Sequence, residues 1–360
     1  MLAHIDFFFA KRNRPRPAQT SVETFVPEGA LVFLNQFGTA PGLAIRVDED
    51  GGWQMEDGRH LTPNLSPLPA DSQRGEGASL SSLLPPPSSR SKQWLVMLPG
   101  PPRELRPMFE DSVTPLLKRE FADEIFICRT LRTTGIGESR VQEMVEMGLQ
   151  PLVKTGLEVG YCARPGAVDV RLTASGAGAE NIVRAGEAVV QTVLGANIFG
   201  FDDDEIEQIV VRLLAARKKT LALAESCTGG GIANRVTNVP GASAVFLGGF
   251  VTYSNAAKEQ FPGVRAGTLQ QHGAVSEAVA REMAGGAREK FGSDFALAVT
   301  GIAGPAGGTA DQPVGTVFIA LADAAGTVVE RRANAYERAT FKELTAQQAL
   351  EMLRQRLVSA

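Results

Sequence analysis

A run of polar and small residues interrupts an apolar segment in the sequence "LALAESCTGGG". Glu225, Ser226, Cys227 and Thr228 stand at the end of the apolar stretch, and three glycines follow them. If a strand ends here and a helix begins after the glycines, the first backbone N–H groups of the helix point outward without partners, and the small residues let a ligand approach them. The pattern indicates a ligand-binding site. An ordinary helix N-cap followed by close packing on glycine explains the same residues without a ligand.

Two further apolar segments end in a similar way. The sequence "GGFVTYSNAAKEQ" ends on hydroxyl and amide residues with a lysine one helical turn later, and "FALAVTGIAGP" ends on threonine and glycine before a loop of small residues. In α/β folds, ligands bind where the carboxyl ends of the strands meet, so we expect the three segment ends to converge. The residues concerned are Thr252, Tyr253, Ser254, Asn255, Lys258, Thr300 and Gly301.

The elements that must position these residues are predicted from hydrophobic periodicity. A helix over 203–217, with apolar residues on one face, precedes a strand over 219–224. Strands alternating with helices imply an open α/β sheet with helices on both faces. The other predicted strands are 245–253, 294–300 and 314–323, and the other predicted helices are 229–238, 276–290 and 340–357.

The chain before residue 203 changes in composition several times. Residues 125–200 give the order strand, helix, strand, strand, helix, which suggests a small α+β domain. Residues 22–46 have the pattern of short strands, and residues 94–98 predict a buried strand that a Pro/Gly turn connects to a helix starting near Arg103. Between them, residues 48–92 are rich in Pro, Ser and Gly, which predicts a surface insertion or a disordered loop.

Composition limits the classes of function. The 360-residue chain has a formal net charge of −4, which does not favour a nucleic-acid partner. Its three cysteines are far apart and favour a reducing, cytoplasmic setting without disulfides, and its three histidines have no metal-ligand spacing. The apolar run in "MLAHIDFFFAKRN" is too short to span a bilayer. We therefore expect a soluble cytoplasmic protein with no membrane or nucleic-acid partner.

Several motifs resemble the CinA family. "AESCTGGGIANRVTNVPGASAVFLGGFVTYSNAAKEQ", "HGAVSEAVAREMAGGAR", "LAVTGIAGPAGG" and "PVGTVFIALA" look like its C-terminal nicotinamide-nucleotide amidohydrolase domain, here residues 203–358. "LRTTGIGESRV" and "GYCARPGAVDVRLTA" are similar to its α+β linking domain, here 125–200. "VPEGALVFLNQFGTAPGLAI" and "VMLPGPPRELRPMFE" are similar to the second half of its molybdopterin-binding-like domain, here 22–120 with the insertion 48–92. Residues 1–21 are unassigned.

The resemblance implies a fold class and an activity. The expected fold is α/β, with a three-layer α/β/α C-terminal domain preceded by the linking domain and a truncated Rossmann-like domain. The expected reaction is hydrolysis of the carboxamide of nicotinamide mononucleotide to nicotinate mononucleotide and ammonia, without a cofactor, in a homo-oligomer. Ser226 is the expected nucleophile and Lys258 or Tyr253 the base that activates it, while Cys227 is the alternative nucleophile.

The resemblance also suggests how the substrate is held. Backbone amides at Thr228, Gly229 and Gly230, and the loop from Thr300 to Pro305, are expected to hold the phosphate. Arg338 matches the arginine of the family's "GDR" motif, with Glu337 in place of the aspartate and no glycine before it, and could reach the phosphate from a neighbouring subunit. Glu225 could hold the ring or the ribose, or orient Ser226, whereas Ser276 and Glu277 are expected to cap a helix. The full set of expected substrate-binding residues is Glu225, Cys227, Thr228, Gly229, Gly230, Thr252, Ser254, Asn255, Thr300, Gly301, Ala303, Gly304 and Arg338.

Two other functions fit the sequence. One is cleavage of ADP-ribose by the N-terminal portion, which would use a divalent metal. Nothing upstream of Val22 supplies the first strand or the nucleotide loop of such a domain, so the remaining sheet should leave apolar faces uncovered. The other is a non-catalytic protein that binds nucleotides or acts as a scaffold.

Overall fold

A computed structural model describes residues 2–20, 25–27, 29–47, 53–54, 60–61, 93–121 and 125–359. The chain forms two compact units, Met1–Glu124 and Ile125–Ala360. Val22 and most of the Pro/Ser/Gly-rich segment 48–92 lie outside the described residues. Within the described ranges, no helix is long and apolar enough to cross a membrane.

The first unit contains an antiparallel sheet. Strand β2 pairs with β1 and β3 and also with β5, and β3 pairs with β4, so every strand pair among the described residues of this unit is antiparallel. Strands β3 and β4 fall inside the segment predicted to be an insertion or a loop. The elements are α1 (Leu2–Ala10), β1 (Leu31–Phe33), β2 (Gly42–Val47), β3 (Trp53–Gln54), β4 (His60–Leu61), β5 (Gln93–Met97), α2 (Pro102–Met108) and α3 (Thr114–Glu120).

One face of this first sheet carries exposed apolar side chains. Val32, Leu95 and Met97 each have roughly two fifths of their surface accessible. Val32 and Met97 both lie opposite Leu43 of β2, which places them on one face. This face of the described sheet therefore exposes apolar side chains.

The second unit begins with a four-stranded antiparallel sheet covered by two helices. The strand order is β7-β8-β6-β9, and α4 and α5 pack on the sheet through residues spaced one turn apart, such as Val141, Val145 and Leu149 of α4. Along the chain, the elements follow the predicted order of strand, helix, strand, strand, helix, and the strand β9 was not predicted. The elements are β6 (Phe126–Thr134), α4 (Glu138–Val153), β7 (Glu158–Arg164), β8 (Ala167–Ser175), α5 (Ala179–Leu194) and β9 (Ile198–Phe201).

A five-stranded sheet in the order β11-β10-β12-β13-β14 forms the rest of the unit. Strands β11, β10 and β12 are parallel, whereas β13 and β14 are antiparallel to their neighbours. The elements are α6 (Ile206–Ala216), β10 (Leu221–Glu225), α7 (Gly231–Thr237), β11 (Phe246–Val251), α8 (Asn255–Gln260), α9 (Ala266–His272), α10 (Glu277–Phe291), β12 (Phe295–Gly301), β13 (Thr316–Asp323), β14 (Gly326–Ala333) and α11 (Arg338–Ser359).

Leucine and alanine alternate along the interior strand β10, and they face the helices on opposite sides of the sheet. Leu221 and Leu223 of β10 pack in a core with α6, α7 and α11, whereas Ala222 and Ala224 pack in a second core with α9 and α10. Alternate residues of a strand face opposite sides of a sheet, so a strand buried on both sides is apolar throughout. This arrangement is the three-layer α/β/α fold expected from the resemblance.

Candidate active site

The carboxyl ends of the three parallel strands lie side by side, as the sequence predicts. Glu225, the last residue of β10, is in register with Val251 of β11 and Val299 of β12. The pairing continues one step further, because the Thr252 amide donates to the Glu225 carbonyl at 2.7 Å and the Ser226 amide donates to the Val299 carbonyl at 3.0 Å. The first residues after each strand are thereby held at a single edge of the sheet.

Ser226 and Lys258 are in direct contact at this edge. The Lys258 Nζ lies 2.9 Å from the Ser226 Oγ and donates to the Thr252 carbonyl at 2.7 Å. Both side chains are buried, with 8% of Ser226 and 2% of Lys258 exposed. Lys258 comes from α8, whose first turn is fixed by the Ser254 hydroxyl accepting from the Ala257 amide. Ser254 therefore caps a helix, and the substrate contact expected of it stays a prediction.

The environment of Lys258 favours its neutral form. Burial lowers the pKa of Lys258 from its ordinary value near 10.5, since the charged form loses its hydration. Among the described residues, no carboxylate forms an ion pair with this amine; both of its hydrogen-bond partners are neutral oxygens. A buried ammonium without a counter-ion is unfavourable, so the amine gives up its proton more easily than a surface lysine does.

Cys227 lies next to Ser226 but is poorly placed to act as a nucleophile. Burial raises the pKa of the Cys227 thiol to about 12, and the nearby Glu225 carboxylate adds to this effect. A thiol with this pKa has almost no thiolate at neutral pH. The raised pKa therefore argues against Cys227 as the alternative nucleophile.

Glu225 points away from the reacting residues. Its carboxylate accepts hydrogen bonds from the Thr228 hydroxyl at 2.6 Å and from the Ile232 and Ala233 amides at 3.0 and 2.8 Å, and its residue is 1% exposed. It thus occupies the first N–H groups of α7. These hydrogen bonds satisfy the Glu225 carboxylate and the Thr228 hydroxyl within the chain. The substrate contacts expected of Glu225 and of the Thr228 backbone amide stay predictions.

Arg338 and Tyr253 meet above the strand ends. Arg338, the first residue of α11, donates to the Tyr253 hydroxyl at 2.7 Å and to the Gly304 carbonyl at 2.9 Å. This arginine comes from the same chain as Ser226, whereas the sequence left open a supply from a neighbouring subunit. Tyr253 is 63% exposed and makes no hydrogen bond to Ser226 or Lys258 among the described contacts, so its hydroxyl orients Arg338 in this arrangement.

A cavity of about 190 Å³ opens between these groups. It brings together the three expected catalytic residues and six of the expected binding residues, whereas Glu225, Thr228, Gly229, Gly230, Thr252, Ser254 and Gly304 do not line it. The lining residues are Ser226, Cys227, Tyr253, Asn255, Lys258, Ala274, Val275, Thr300, Gly301, Ala303 and Arg338.

The glycines near the site have conformational and packing roles. Gly229 and Gly230 adopt φ values of +62° and +90°, in the left-handed region that side chains disfavour. At Gly301, a Cβ atom would lie 2.9 Å from the Thr316 carbonyl oxygen, so glycine is needed there for close contact between β12 and β13. These three glycines therefore serve the backbone conformation and the strand packing beside the cavity.

The sequence matches profiles of a known family along most of the second unit. Residues 203–357 match the profile described as "CinA C-terminal domain", and residues 128–200 match "Damage-inducible protein CinA KH domain". A CinA-like protein of Akkermansia muciniphila is 40% identical over 344 residues, which cover 95% of this chain and 72% of that protein. The chain belongs to the CinA family.

Other family members are similar over comparable or shorter lengths. A putative competence-damage inducible protein of Caldicellulosiruptor bescii is 36% identical over 361 residues, covering 99% of this CinA-family chain and 77% of the relative. The crystal structure of the competence/damage inducible protein CihA from Agrobacterium tumefaciens aligns with a TM-score of 0.40 and a sequence identity of 40%. The alignment covers 43% of this chain and 97% of the CihA chain.

Two lining residues of the CinA-family site were missed by the sequence reasoning. Ala274 and Val275 line the cavity from the turn before α10, but they are small and apolar and resemble ordinary core residues. The Thr300 hydroxyl donates to the Ala274 carbonyl at 2.8 Å, which ties this turn to the end of β12. Ser276 accepts from the Val279 amide at 3.3 Å and caps α10, as the sequence predicts.

Proposed function

We propose that this CinA-family chain is an amidohydrolase that converts nicotinamide mononucleotide to nicotinate mononucleotide and ammonia. The observation that carries the proposal is the 2.9 Å contact between the Ser226 Oγ and a buried Lys258 that has no carboxylate partner in the described part of the chain. A neutral amine at this distance from a hydroxyl can act as its general base. The nature of the substrate is suggested by the family resemblance.

In the first half of the reaction, Lys258 accepts the proton of Ser226 as its Oγ attacks the carboxamide carbon. The tetrahedral intermediate carries a negative oxygen, which needs hydrogen-bond donors. The backbone N–H groups of Cys227 and Thr228 are candidates: in the described residues neither pairs with a backbone carbonyl, and both lie within hydrogen-bonding reach of the Cys227 sulfur, which lines the cavity. Lys258 then gives the proton to the amide nitrogen, the carbon–nitrogen bond breaks and ammonia departs. The nicotinoyl group remains bound to Ser226 as an ester.

In the second half, water attacks the ester and Lys258 accepts a proton from it. The ester bond breaks, the proton returns to the Ser226 oxygen, and the acid form of nicotinate mononucleotide is produced. Each half-reaction uses the same amine first as base and then as acid, so no second titrating residue is required.

The size of the cavity suggests which part of the substrate it encloses. Its volume of about 190 Å³ is below the roughly 300–1,000 Å³ of pockets that enclose whole small ligands. We infer that the pyridine carboxamide enters it and that the ribose and phosphate remain at its mouth. Arg338 lines the cavity, and in the described part of the chain two of its N–H groups donate to Tyr253 and Gly304, which leaves others for a phosphate oxygen.

Ammonia release tests the proposal. The purified full-length chain is assayed with nicotinamide mononucleotide, nicotinamide riboside and free nicotinamide, and we expect turnover of the mononucleotide in preference to the other two. Ser226→Ala should lose roughly 10⁴-fold or more in kcat, as nucleophile substitutions do. Cys227→Ala, the matched control at the neighbouring position, should keep most of the activity. An inactive Cys227→Ala beside an active Ser226→Ala contradicts the assignment, and absence of turnover by the wild-type chain contradicts the function.

A further inference from the structure

Two basic side chains line the cavity, and no acid balances them among the described lining residues. Lys258 and Arg338 line it, and none of the described lining residues is Asp or Glu. Glu225, the acid nearest to Ser226 in the sequence, has its carboxylate bound by the amides of α7 and the Thr228 hydroxyl. An anionic group that enters the cavity therefore meets two basic side chains and no carboxylate.

Lys258 is the group in the cavity whose charge depends most directly on its occupant. Its Nζ contacts only neutral oxygens, those of Ser226 and Thr252, in the described part of the chain. A carboxylate at this position would supply the counter-ion that the ammonium lacks, whereas a neutral carboxamide would not. The ammonium form is thus favoured with one occupant and the amine form with the other.

We propose that Lys258 makes the cavity a proton-linked carboxylate site, which retains the carboxylate product of the reaction while the lysine is an ammonium. The identity of this carboxylate rests on the proposed function. At the end of turnover the newly formed acid loses its proton to the Lys258 amine, giving a carboxylate beside an ammonium. Release of the product then returns that proton to solvent and restores the amine that the next turnover needs.

The remaining titratable groups that face Lys258 do not supply this behaviour. The Cys227 thiol, at the end of β10, is kept neutral by burial, which raises its pKa to about 12. Arg338, from α11, and Tyr253, after β11, are bonded to each other, with the guanidinium donating to the Tyr253 hydroxyl. Proton uptake on binding a carboxylate is therefore assigned to Lys258.

Calorimetric binding tests this inference directly. Nicotinate mononucleotide and nicotinamide mononucleotide are titrated into the Ser226→Ala variant of the full chain, which keeps Lys258 and does not turn over the amide. Both ligands carry the same phosphate, so the ratio of their Kd values removes the effect of phosphate ionisation. We expect the preference for the carboxylate to fall by up to tenfold per pH unit above the pKa of Lys258, as one linked proton requires.

A second measurement needs no variant. Titration of nicotinate mononucleotide into the wild-type chain, in two buffers of different ionisation enthalpy at the same pH, should show net uptake of up to one proton.

Two further variants test the ratio of the Kd values. Lys258→Met should abolish the pH dependence of this ratio, and Lys290→Met, at an exposed position of α10, should leave it unchanged.

The outcomes separate this inference from the proposed function. A pH-independent ratio, with ammonia release intact in the wild-type chain, overturns the carboxylate site and leaves the amidohydrolase standing. A proton-linked preference in a chain that releases no ammonia supports the site and removes the function.

Discussion

Replacement of Lys258 by Met should change both activity and stability through one ionisation, that of the Lys258 amine. The folded protein lowers the pKa of this lysine from about 10.5 by burial, so the unfolded chain binds more protons than the folded chain between the lowered pKa and 10.5. The wild-type free energy of unfolding therefore rises with pH across that window, relative to that of Lys258→Met. The maximum slope for one proton is about 1.4 kcal/mol per pH unit.

The same ionisation should govern catalysis. Below the lowered pKa, kcat/KM of the wild-type protein should rise about tenfold per pH unit, because only the amine form can accept the proton of Ser226. Above it, kcat/KM should be constant. Lys258→Met should lower this plateau by roughly 10²–10⁴-fold, the usual contribution of a general base, and should remove the rising limb.

Two assays over the same buffers measure both quantities. Ammonia release gives kcat/KM for nicotinamide mononucleotide, and urea unfolding gives the stability difference between wild type and variant. Lys290→Met, which changes an exposed lysine of α10, is the control and should alter neither profile. A stability difference that does not change with pH, or one whose rise does not begin near the pKa of the kinetic profile, refutes the reasoning.

Three further predictions concern groups around the dyad. Glu225→Gln places an amide NH₂ against the N–H groups of α7, so the free energy of unfolding in urea should fall by about 1–3 kcal/mol. Thr228→Val removes one donor to this carboxylate and should lower the free energy of unfolding by less. If both variants are as stable as the wild type, the hydrogen bonds of Glu225 do not contribute as described. Arg338→Ala should raise the Kd for nicotinamide mononucleotide by roughly 10–100-fold, the range of charge-assisted hydrogen bonds, and should leave the Kd for nicotinamide riboside unchanged. An equal rise in Kd for both ligands would contradict a contact between Arg338 and the phosphate. A chelator should leave ammonia release unchanged, since no proposed step uses a metal, and inhibition that added divalent metal reverses would contradict this mechanism.

The convergence of the strand ends was predictable because it follows from a general property of parallel sheets. Ser226 and Lys258 are 32 positions apart, yet each follows an apolar segment that reads as a strand. Neighbouring parallel strands end at one edge, so proximity needed no knowledge of side-chain contacts. The depth of burial of Lys258 was not predictable in this way, because lysines at the start of a helix are usually solvated.

The orientation of Glu225 had a signal in the sequence that was not used. Leu221, Leu223 and Glu225 alternate along β10 and so face the same side of the sheet, which is the side that α7 covers. The pairing of Arg338 with Tyr253 had no comparable signal, because the two residues are 85 positions apart on elements of different type. Strand β14 was missed as well, since its exposed and charged residues obscure its alternation.

Among the described strands, β11 has a neighbour on only one side, and the Lys258 amine donates to the carbonyl of Thr252, immediately beyond that strand. Edge strands open at lower free energy than the strands they flank, so a local fluctuation can separate the lysine from Ser226 while the rest of the sheet stays folded. On the proposed function, mild denaturant should abolish ammonia release before the chain unfolds. Ammonia release would then detect the opening of this edge strand at a lower denaturant concentration than a spectroscopic measurement of the whole chain.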